Sequence, residues 1–283
     1  MSDAKMEAEI IFEPHVPNAL RRAREYAGDN GFVASMAQLL HARAHAEYDN
    51  IIWNTWFTSN TEESVVTTPA GNHVIVCVHG GGIFTNPERF ELVYRSSVDR
   101  SSEHGFTGQY SAKISQKEAQ DIQNGRLPDG SEIPVYPFAE FKDGIRDLPV
   151  RYGVILDYEL ARKSTRGYDP FEVLKDEPNM IARAGGVEAN AAYLDKAQAR
   201  HNTKVMGNWH PYNRIDPNQS QTRIPFLAGN MGGMCTEDDD DDLYGYDAEY
   251  GLGGDACVHN MGRYIAVAPR DPKTSLRKLD FGP

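Results

Sequence analysis

The chain has 283 residues, of which 25% are charged, and its net charge at pH 7 is −12. Such a length and composition are typical of an ordinary globular protein with one large domain, or with a domain and a helical extension. The negative charge argues against nucleic acid or an anionic membrane as the main partner, because both require a positively charged surface.

The N-terminal residues 1–14 contain no basic segment followed by an apolar core, so the sequence predicts no signal peptide. No apolar run approaches the roughly 18 residues of a membrane helix. Three cysteines without a Cys-x-x-Cys spacing argue against a disulfide framework or a zinc ribbon. We therefore expect a cytoplasmic protein that does not bind membranes, and the sequence leaves a homo-oligomer open.

Helical patterns dominate the beginning of the chain. Residues 18–27 predict a short basic helix, and Ser35 is a good N-cap for a longer helix. Apolar residues recur at helical spacing over residues 36–52. These patterns predict an N-terminal helical extension over residues 1–60, followed by an α/β domain over residues 61–283.

The rest of the chain alternates between predicted helices and strands. Residues 61–72 are polar and predict a connection, whereas the β-branched run of 73–79 predicts a buried strand. Helices are predicted after the capping box at Ser115, after Pro170 and over 188–200. Further strands are predicted at 91–94, 133–136, 152–158, 204–209, 224–228 and 263–268. The predicted fold class is α/β or α+β, with a mixed, mainly parallel sheet flanked by helices.

Several predicted strands end on residues that can carry chemistry. One strand ends on His79, another on Asp157 with Glu159 two residues later, and a third is followed by His210. If these strands are parallel neighbours, their C-terminal ends share one edge of the sheet and the side chains meet in one cleft. Imidazoles and carboxylates together suit acid–base catalysis or a divalent metal ion.

Three glycines follow the first of these histidines. The sequence His79-Gly80-Gly81-Gly82 resembles the oxyanion-hole motif of esterases related to hormone-sensitive lipase, within the α/β-hydrolase fold. The resemblance implies that backbone N–H groups of Gly80, Gly81 and Gly82 bind an oxyanion or another anion. The Gly-x-Ser-x-Gly nucleophile elbow of that fold is absent from this sequence, which argues against a serine esterase.

Two functions from different classes remain open. The first is a soluble enzyme, a hydrolase or lyase acting on a small polar or anionic molecule, with His79, Asp157, Glu159 and His210 as catalytic residues or metal ligands. The second is a non-catalytic α/β binding or assembly subunit, in which loops that contain tyrosine and tryptophan contact a partner.

Three other patterns have plain structural explanations. His41 and His45 share a helix face, but packing explains that spacing as well as a metal does. The acidic run Glu237–Asp242 is typical of a solvated loop. Cys257 and His259 follow a glycine-rich segment, and a buried thiol explains the cysteine as well as a thiolate–imidazole pair does.

Overall fold

The computed structural model describes residues 6–96, 101–107, 111–164, 167–201, 204–210, 212–213, 215–228, 251–253 and 261–269. A 3-10 helix spans Ile83–Thr85. The α-helices are α1 (Val16–Ala27), α2 (Met36–His45), α3 (Ile51–Asn54), α4 (Pro87–Arg95), α5 (Gln116–Gln123), α6 (Phe138–Phe141), α7 (Tyr158–Lys163), α8 (Phe171–Lys175), α9 (Pro178–Ala184) and α10 (Val187–His201). The strands are β1 (Met6–Glu13), β2 (Phe32–Val33), β3 (Phe57–Thr58), β4 (Thr61–Thr67), β5 (His73–His79), β6 (Phe106–Thr107), β7 (Ser111–Lys113), β8 (Val135–Pro137), β9 (Tyr152–Asp157), β10 (Gly167–Pro170), β11 (Val205–Trp209), β12 (Gln221–Arg223), β13 (Phe226–Leu227), β14 (Gly251–Gly253) and β15 (Gly262–Pro269).

The strands form three sheets. The largest has the order β6-β7-β12-β4-β5-β9-β8, the second has the order β10-β11-β14-β13-β3, and the third has the order β1-β15-β2. Two pairs of described strands, β8–β9 and β11–β14, are parallel, and the other pairs are antiparallel. The mixed α/β class with flanking helices is thus confirmed, but the sheets are mainly antiparallel rather than mainly parallel.

The central hairpin explains why the expected parallel order is wrong. Strands β4 and β5 pair in antiparallel register along their whole length, from Thr61 opposite His79 to Thr67 opposite His73. Gly71 adopts φ +82° in the turn that joins them, a conformation that glycine reaches without steric cost. The segment predicted as a polar connection is therefore mostly strand β4, which is buried from residue 61 to residue 66.

Capping residues mark helices much as the sequence predicts. Ser35 and Ser115 both form capping boxes, which start α2 and α5. The strand predicted at 91–94 is wrong, because that segment lies within α4. The Asn86 side chain caps α4 by accepting from the Arg89 amide, and Pro87 occupies the first turn.

The first 60 residues share their core with the C-terminal strand. They contain α1, α2 and α3, but also β1, which pairs with β15 over eight residues from Met6–Pro269 to Glu13–Gly262. Helix α1 packs against the same strand, and Gly262 lies where a Cβ atom would come within 2.7 Å of Ala19. The predicted helical extension is therefore packed into the fold, and the division at residue 60 stays a prediction.

Over the part of the chain that the structure describes, no helix combines the length and apolarity that crossing a membrane requires.

Candidate functional site

Two of the predicted catalytic residues, His79 and Asp157, lie at opposite ends of the large sheet. Strands β5 and β9 are antiparallel, so that His79 lies opposite Tyr152 whereas Asp157 lies opposite Val74. The five-residue offset between these register positions corresponds to roughly 17 Å along the strands. Asp157 and His79 therefore do not meet in one cleft, because the predicted cleft required parallel strands.

His79 is fully buried and links three segments through hydrogen bonds. Its Nε2 lies 2.9 Å from the Ala182 carbonyl, and its Nδ1 lies 3.1 Å from Thr61 Oγ1, which also accepts from the Met36 amide. Nε2 is accordingly the protonated nitrogen, and the Thr61 hydroxyl donates to Nδ1. Burial lowers the pKa of His79 to about 4, so the ring is neutral at pH 7. This histidine therefore joins three segments of the fold through hydrogen bonds and is not placed to transfer protons.

His210 is also fully buried. Its Nε2 donates to the Ser164 carbonyl at 3.1 Å, and its ring stacks on Tyr212 with centroids 5.1 Å apart. The two histidines predicted to act together both border one feature: His79 bonds the carbonyl of Ala182, the residue before Arg183, and His210 follows Trp209, whose carbonyl accepts from Arg183. That feature is a buried network instead of a cleft.

The network is centred on an ion pair that the sequence patterns did not reveal. Arg183 on α9 donates through Nε and Nη2 to both carboxylate oxygens of Glu63 on β4, at 2.6 and 2.9 Å. Arg183 Nη1 donates to Asn208 Oδ1 and to the Trp209 carbonyl, and the Tyr212 hydroxyl donates to Glu63 at 2.5 Å. Burial alone would raise the pKa of Glu63, but Arg183 and Tyr212 lower it below its ordinary value. These bonds fix β11 against the large sheet.

The glycine loop, residues 80–82, and the two residues after it bind an acidic side chain of the protein itself. The amides of Gly82, Ile83 and Phe84 donate to the Glu62 carboxylate at 2.7–2.9 Å. The amides of Gly80 and Gly81 both donate to the Asn60 carbonyl at 2.9 Å. The N–H groups predicted to hold a substrate oxyanion are thus used inside the fold.

Glu62 and Glu63 are consecutive residues of β4 and therefore point to opposite faces of the sheet. Both are buried, one beneath the glycine loop and one beside Arg183. Burial raises the pKa of Glu62 to about 7, against the opposing effect of its three amide donors. Two adjacent carboxylates in a segment with β-branched residues could have signalled a buried polar strand, but their partners lie far away in sequence.

The remaining predicted residues have local structural roles. Asp157 is exposed and caps α7, because its side chain accepts from the Leu160 amide at 2.9 Å. Glu159 belongs to that helix rather than to the strand, and it pairs with Arg162 on the surface at 3.3 Å. The assignment of both carboxylates to a catalytic centre loses its geometric basis.

The histidine and acidic patterns of the sequence form no metal site in the part of the chain that the structure describes. Within the described ranges, no three His, Cys, Asp or Glu side chains gather into a set that could hold a metal ion. His41 and His45 stack on each other with centroids 4.1 Å apart on α2. The acidic run Glu237–Asp242 and the pair Cys257 and His259 lie outside the described residues.

A different surface concentrates side chains suited to binding, on one face of the five-stranded sheet. The opposite face carries Met206, Leu227 and Phe57, which all belong to one buried cluster. The face turned away from that cluster carries Tyr168, Trp209 and Phe226. We call these three residues, together with Trp56, which precedes β3, and Phe12, on β1 of the three-stranded sheet, the aromatic band.

One end of the aromatic band is formed by β10 and β11. Tyr168 lies opposite Gly207 in register, and its ring meets the Trp209 ring edge-on with centroids 5.8 Å apart. Tyr168 is 37% exposed and Trp209 is half-buried. Because Gly207 has no side chain, the two rings rest directly above the strand.

The strand at the centre of the band has glycine residues on the side of the aromatic rings. Strand β14 places Gly251 and Gly253 at the register positions of Gly207 and Trp209, and Phe226 of β13 lies opposite Gly253. Strands β11 and β13 are two strand spacings apart, about 10 Å. The aromatic side chains of these two strands therefore flank a strand that has glycine at both of these positions.

The other end of the band holds an arginine between two rings. The Arg263 guanidinium lies 4.7 Å from the Trp56 ring centroid and 5.1 Å from that of Phe12, which is 43% exposed. The Arg263 amide donates to Thr58, the register partner of Phe226, which joins this end to the centre of the band. These cation–π contacts hold the Arg263 guanidinium against both rings.

Comparison with known proteins provides one structural relative. No family model matches the sequence, and no curated protein matches it. The fold is similar to a solved structure described as "Accommodation of massive sequence variation in Nanoarchaeota by the C-type lectin fold", with a TM-score of 0.63 and 20% sequence identity. The match covers 93% of this chain and 98% of that chain. The two chains share a fold.

The shared fold corrects the first functional hypothesis. The C-type lectin fold is a binding fold, and the residues predicted to catalyse are engaged in caps and buried hydrogen bonds. The prediction of a hydrolase or lyase is wrong. The alternative, a non-catalytic binding or assembly subunit, is better supported.

Proposed function

We propose that this chain is a non-catalytic binding module, which recognises a protein partner through the aromatic band. The observation that carries the proposal is the gathering of Tyr168, Trp209 and Phe226 on the face of the five-stranded sheet turned away from the core, with Trp56 and Phe12 beside its β3 end. Aromatic residues and arginine are the side chains that contribute most to protein interfaces. A cytoplasmic location belongs to the same proposal.

The rigidity of the scaffold supports this proposal. Strand β11 carries Trp209 and is held by the Arg183 network through Asn208 and the Trp209 carbonyl. A strand backbone held in this way loses little conformational entropy on binding. The related Nanoarchaeota structure is described in terms of a fold that tolerates massive sequence variation. By analogy, a stable core here supports a surface with a separate role.

Charge indicates the kind of partner. The segment that connects β13 to β14 contains Glu237–Asp242, Asp247 and Glu249, and it has no lysine or arginine between residues 228 and 250. In the sequence, this segment links two strands of the five-stranded sheet. Together with a net charge of −12, this favours a partner with a positively charged surface.

Selection from a library tests the proposal. The full chain is immobilised and used to select binders from displayed random peptides, and the affinities of the selected peptides are measured for Trp209→Ala, Tyr168→Ala and Leu160→Ala. Leu160 is the control, because it is 40% exposed on α7 at the large sheet. We expect the selected peptides to be basic. Their affinity for Trp209→Ala and for Tyr168→Ala should be at least about tenfold lower than for the parent chain, and their affinity for Leu160→Ala should be unchanged.

Two results would count against this function. Peptides that bind all variants equally would place the binding surface elsewhere. A chain that forms a dimer in solution, and becomes monomeric with Trp209→Ala, would assign the band to a second copy of this chain and therefore to assembly.

A further inference from the structure

A cleft of about 950 Å³ lies on another part of the molecule, between α1, the three-stranded sheet and the glycine loop. Its lining includes the apolar side chains of Met6, Phe32 and Val150, and Met6 and Val150 are 43% and 49% exposed. The volume is within the range of sites that take small organic molecules. The cleft shares no residue with the aromatic band.

Two arginines are held in this cleft by one carboxylate. Arg151 lies 3.0 Å from Asp129 and donates to Ser131 Oγ at 2.9 Å. Arg24 on α1 lies 4.0 Å from the same Asp129 and donates to the Thr85 carbonyl. The three side chains together carry one uncompensated positive charge. Guanidinium groups fixed in this way favour binding of a carboxylate or a similar anion.

The glycine loop makes room for this arrangement. A Cβ atom on Gly80 would come within 2.5 Å of Arg151 Cγ, so the absence of a side chain lets the arginine stem lie across the loop. Gly80 has φ +87°, which also favours glycine. Its role is therefore to position a cation at the cleft, whereas its own amide donates to Asn60.

The other charged groups of the cleft lie on its rim. Arg21, Glu25 and Asp29 are exposed residues of α1 and of the turn that follows it. Exposed charges of both signs contribute little to binding in water. Arg24 and Arg151 are half-buried, with 36% and 29% of their side chains exposed. These two arginines are therefore the main groups that would recognise an anion in the cleft.

We propose that this cleft binds a small monocarboxylate with an apolar body. The carboxylate contacts Arg24 and Arg151, and the apolar part packs against Met6, Phe32 and Val150. A free carboxylic acid and the C-terminal carboxylate of a peptide have the same chemistry. This proposal is independent of the function assigned to the aromatic band.

Calorimetry with matched probes tests the site on the full chain. The probes are 3-phenylpropanoate and its neutral amide, and the peptide Gly-Gly-Phe with a free or an amidated C-terminus. We expect at least one acid to bind and neither amide to bind. Binding by the small acid indicates a free metabolite, whereas binding by the peptide acid alone indicates a C-terminus.

Variants with opposite expected effects sharpen the test. Arg24→Met and Arg151→Met keep the aliphatic stems and should weaken binding of the acid about tenfold or more. Arg22→Met is the control, since Arg22 lies on α1 and pairs with Glu13 outside the cleft. Asp129→Asn removes the compensating charge, so it should tighten binding several-fold even if it lowers stability.

Three outcomes would overturn the proposal. Neither acid binds at about 10 mM, a concentration that detects even very weak sites. Acids and amides bind alike, which would show that the carboxylate is not recognised. Arg22→Met weakens binding as much as Arg24→Met and Arg151→Met, which would show a general effect of charge.

Discussion

The buried surroundings of β4 and the aromatic band differ in how they use reactive side chains. Around β4, carboxylates, imidazoles and a guanidinium are saturated by partners inside the protein, such as Glu63 by Arg183 and His79 by Ala182. In the band, Tyr168 and Phe12 keep more than a third of their surface exposed. The ionisable side chains around β4 therefore stabilise the fold, and the aromatic side chains of the band remain for recognition.

This contrast explains why acid–base residues can mislead. A buried polar group requires hydrogen-bond partners, and a network that satisfies all of its members specifies one arrangement of the core. Glu62, Glu63 and His79 satisfy this requirement in a strand pair at the centre of the large sheet. Variants in the two regions should accordingly affect stability in one case and binding in the other.

The largest expected effect is on stability and comes from Arg183. Replacing Arg183 with Met leaves the buried Glu63 carboxylate without its ion-pair partner, which should lower the free energy of unfolding by about 3–5 kcal/mol. Urea denaturation followed by circular dichroism measures this change. The double variant Arg183→Met with Glu63→Gln should recover part of the loss, because it removes the unpaired charge.

A matched control uses a surface ion pair. Arg162→Met breaks the exposed pair with Glu159 and should change stability by less than about 0.5 kcal/mol. Equal losses for the Arg162 and Arg183 variants would contradict the distinction between the buried network and the surface.

The second effect is the pH dependence of stability, to which two buried groups contribute with opposite signs. Folding lowers the pKa of His79 to about 4, so its contribution to stability is lost as pH falls from about 6.5 towards 4. Folding raises the pKa of Glu62 to about 7, so its contribution is lost as pH rises from about 4.5 through 7. Each corresponds to about 3 kcal/mol over its range, and the two slopes oppose each other between pH 4.5 and 6.5.

Single variants should reveal each slope. With His79→Gln, stability should fall more steeply as pH rises from 4.5 to 7, because the Glu62 contribution is no longer opposed. With Glu62→Gln, stability should instead rise between pH 4 and 6.5. Urea titrations at several pH values provide the slopes, and slopes unchanged from the parent chain would show that neither group titrates as described.

A smaller effect, on binding alone, is expected for Trp209. Its ring is half-buried on the aromatic band, so Trp209→Ala should weaken binding to peptides selected on this chain at least about tenfold, which is about 1.4 kcal/mol. The melting temperature should shift by only a few degrees. If the variant unfolds as readily as the Arg183 variant, the ring belongs to the core and the contrast fails.

The smallest effect concerns the former catalytic candidates on the surface. Asp157→Ala removes the N-cap of α7 and should cost about 1 kcal/mol, measured by thermal unfolding, without changing peptide affinity. Asp157→Asn should restore most of the stability, because asparagine is an equally good cap. A loss of peptide affinity with either variant would connect this end of the sheet to recognition.

Local sequence signals predicted much of the secondary structure. Strand β5, the N-cap at Ser35 and the capping box at Ser115 follow from residues that are neighbours in the chain. Strand order did not follow, because pairing depends on turns such as that at Gly71 and on contacts across long separations. The parallel arrangement on which the catalytic cleft depended was therefore wrong.

The polar strand β4 shows the limit most clearly. Thr61, Glu62, Glu63 and Ser64 look like an exposed connection until their partners are known. Those partners are His79, the amides of 82–84, Arg183 and Thr222, which lie between 18 and 158 residues away. No local pattern encodes such distances. The aromatic band is equally non-local, since its members come from five separate strands or strand ends.

The most direct measurement compares one double variant with one control. Calorimetry measures the affinity for peptides selected on the parent chain. It is applied to the double variant Tyr168→Ala/Trp209→Ala and to the control Leu160→Ala. The melting temperature of each protein is measured as well. The account predicts that the double variant stays folded and loses the peptides while the control keeps them. Unchanged affinity in a folded double variant would contradict the assignment of the aromatic band as the binding surface.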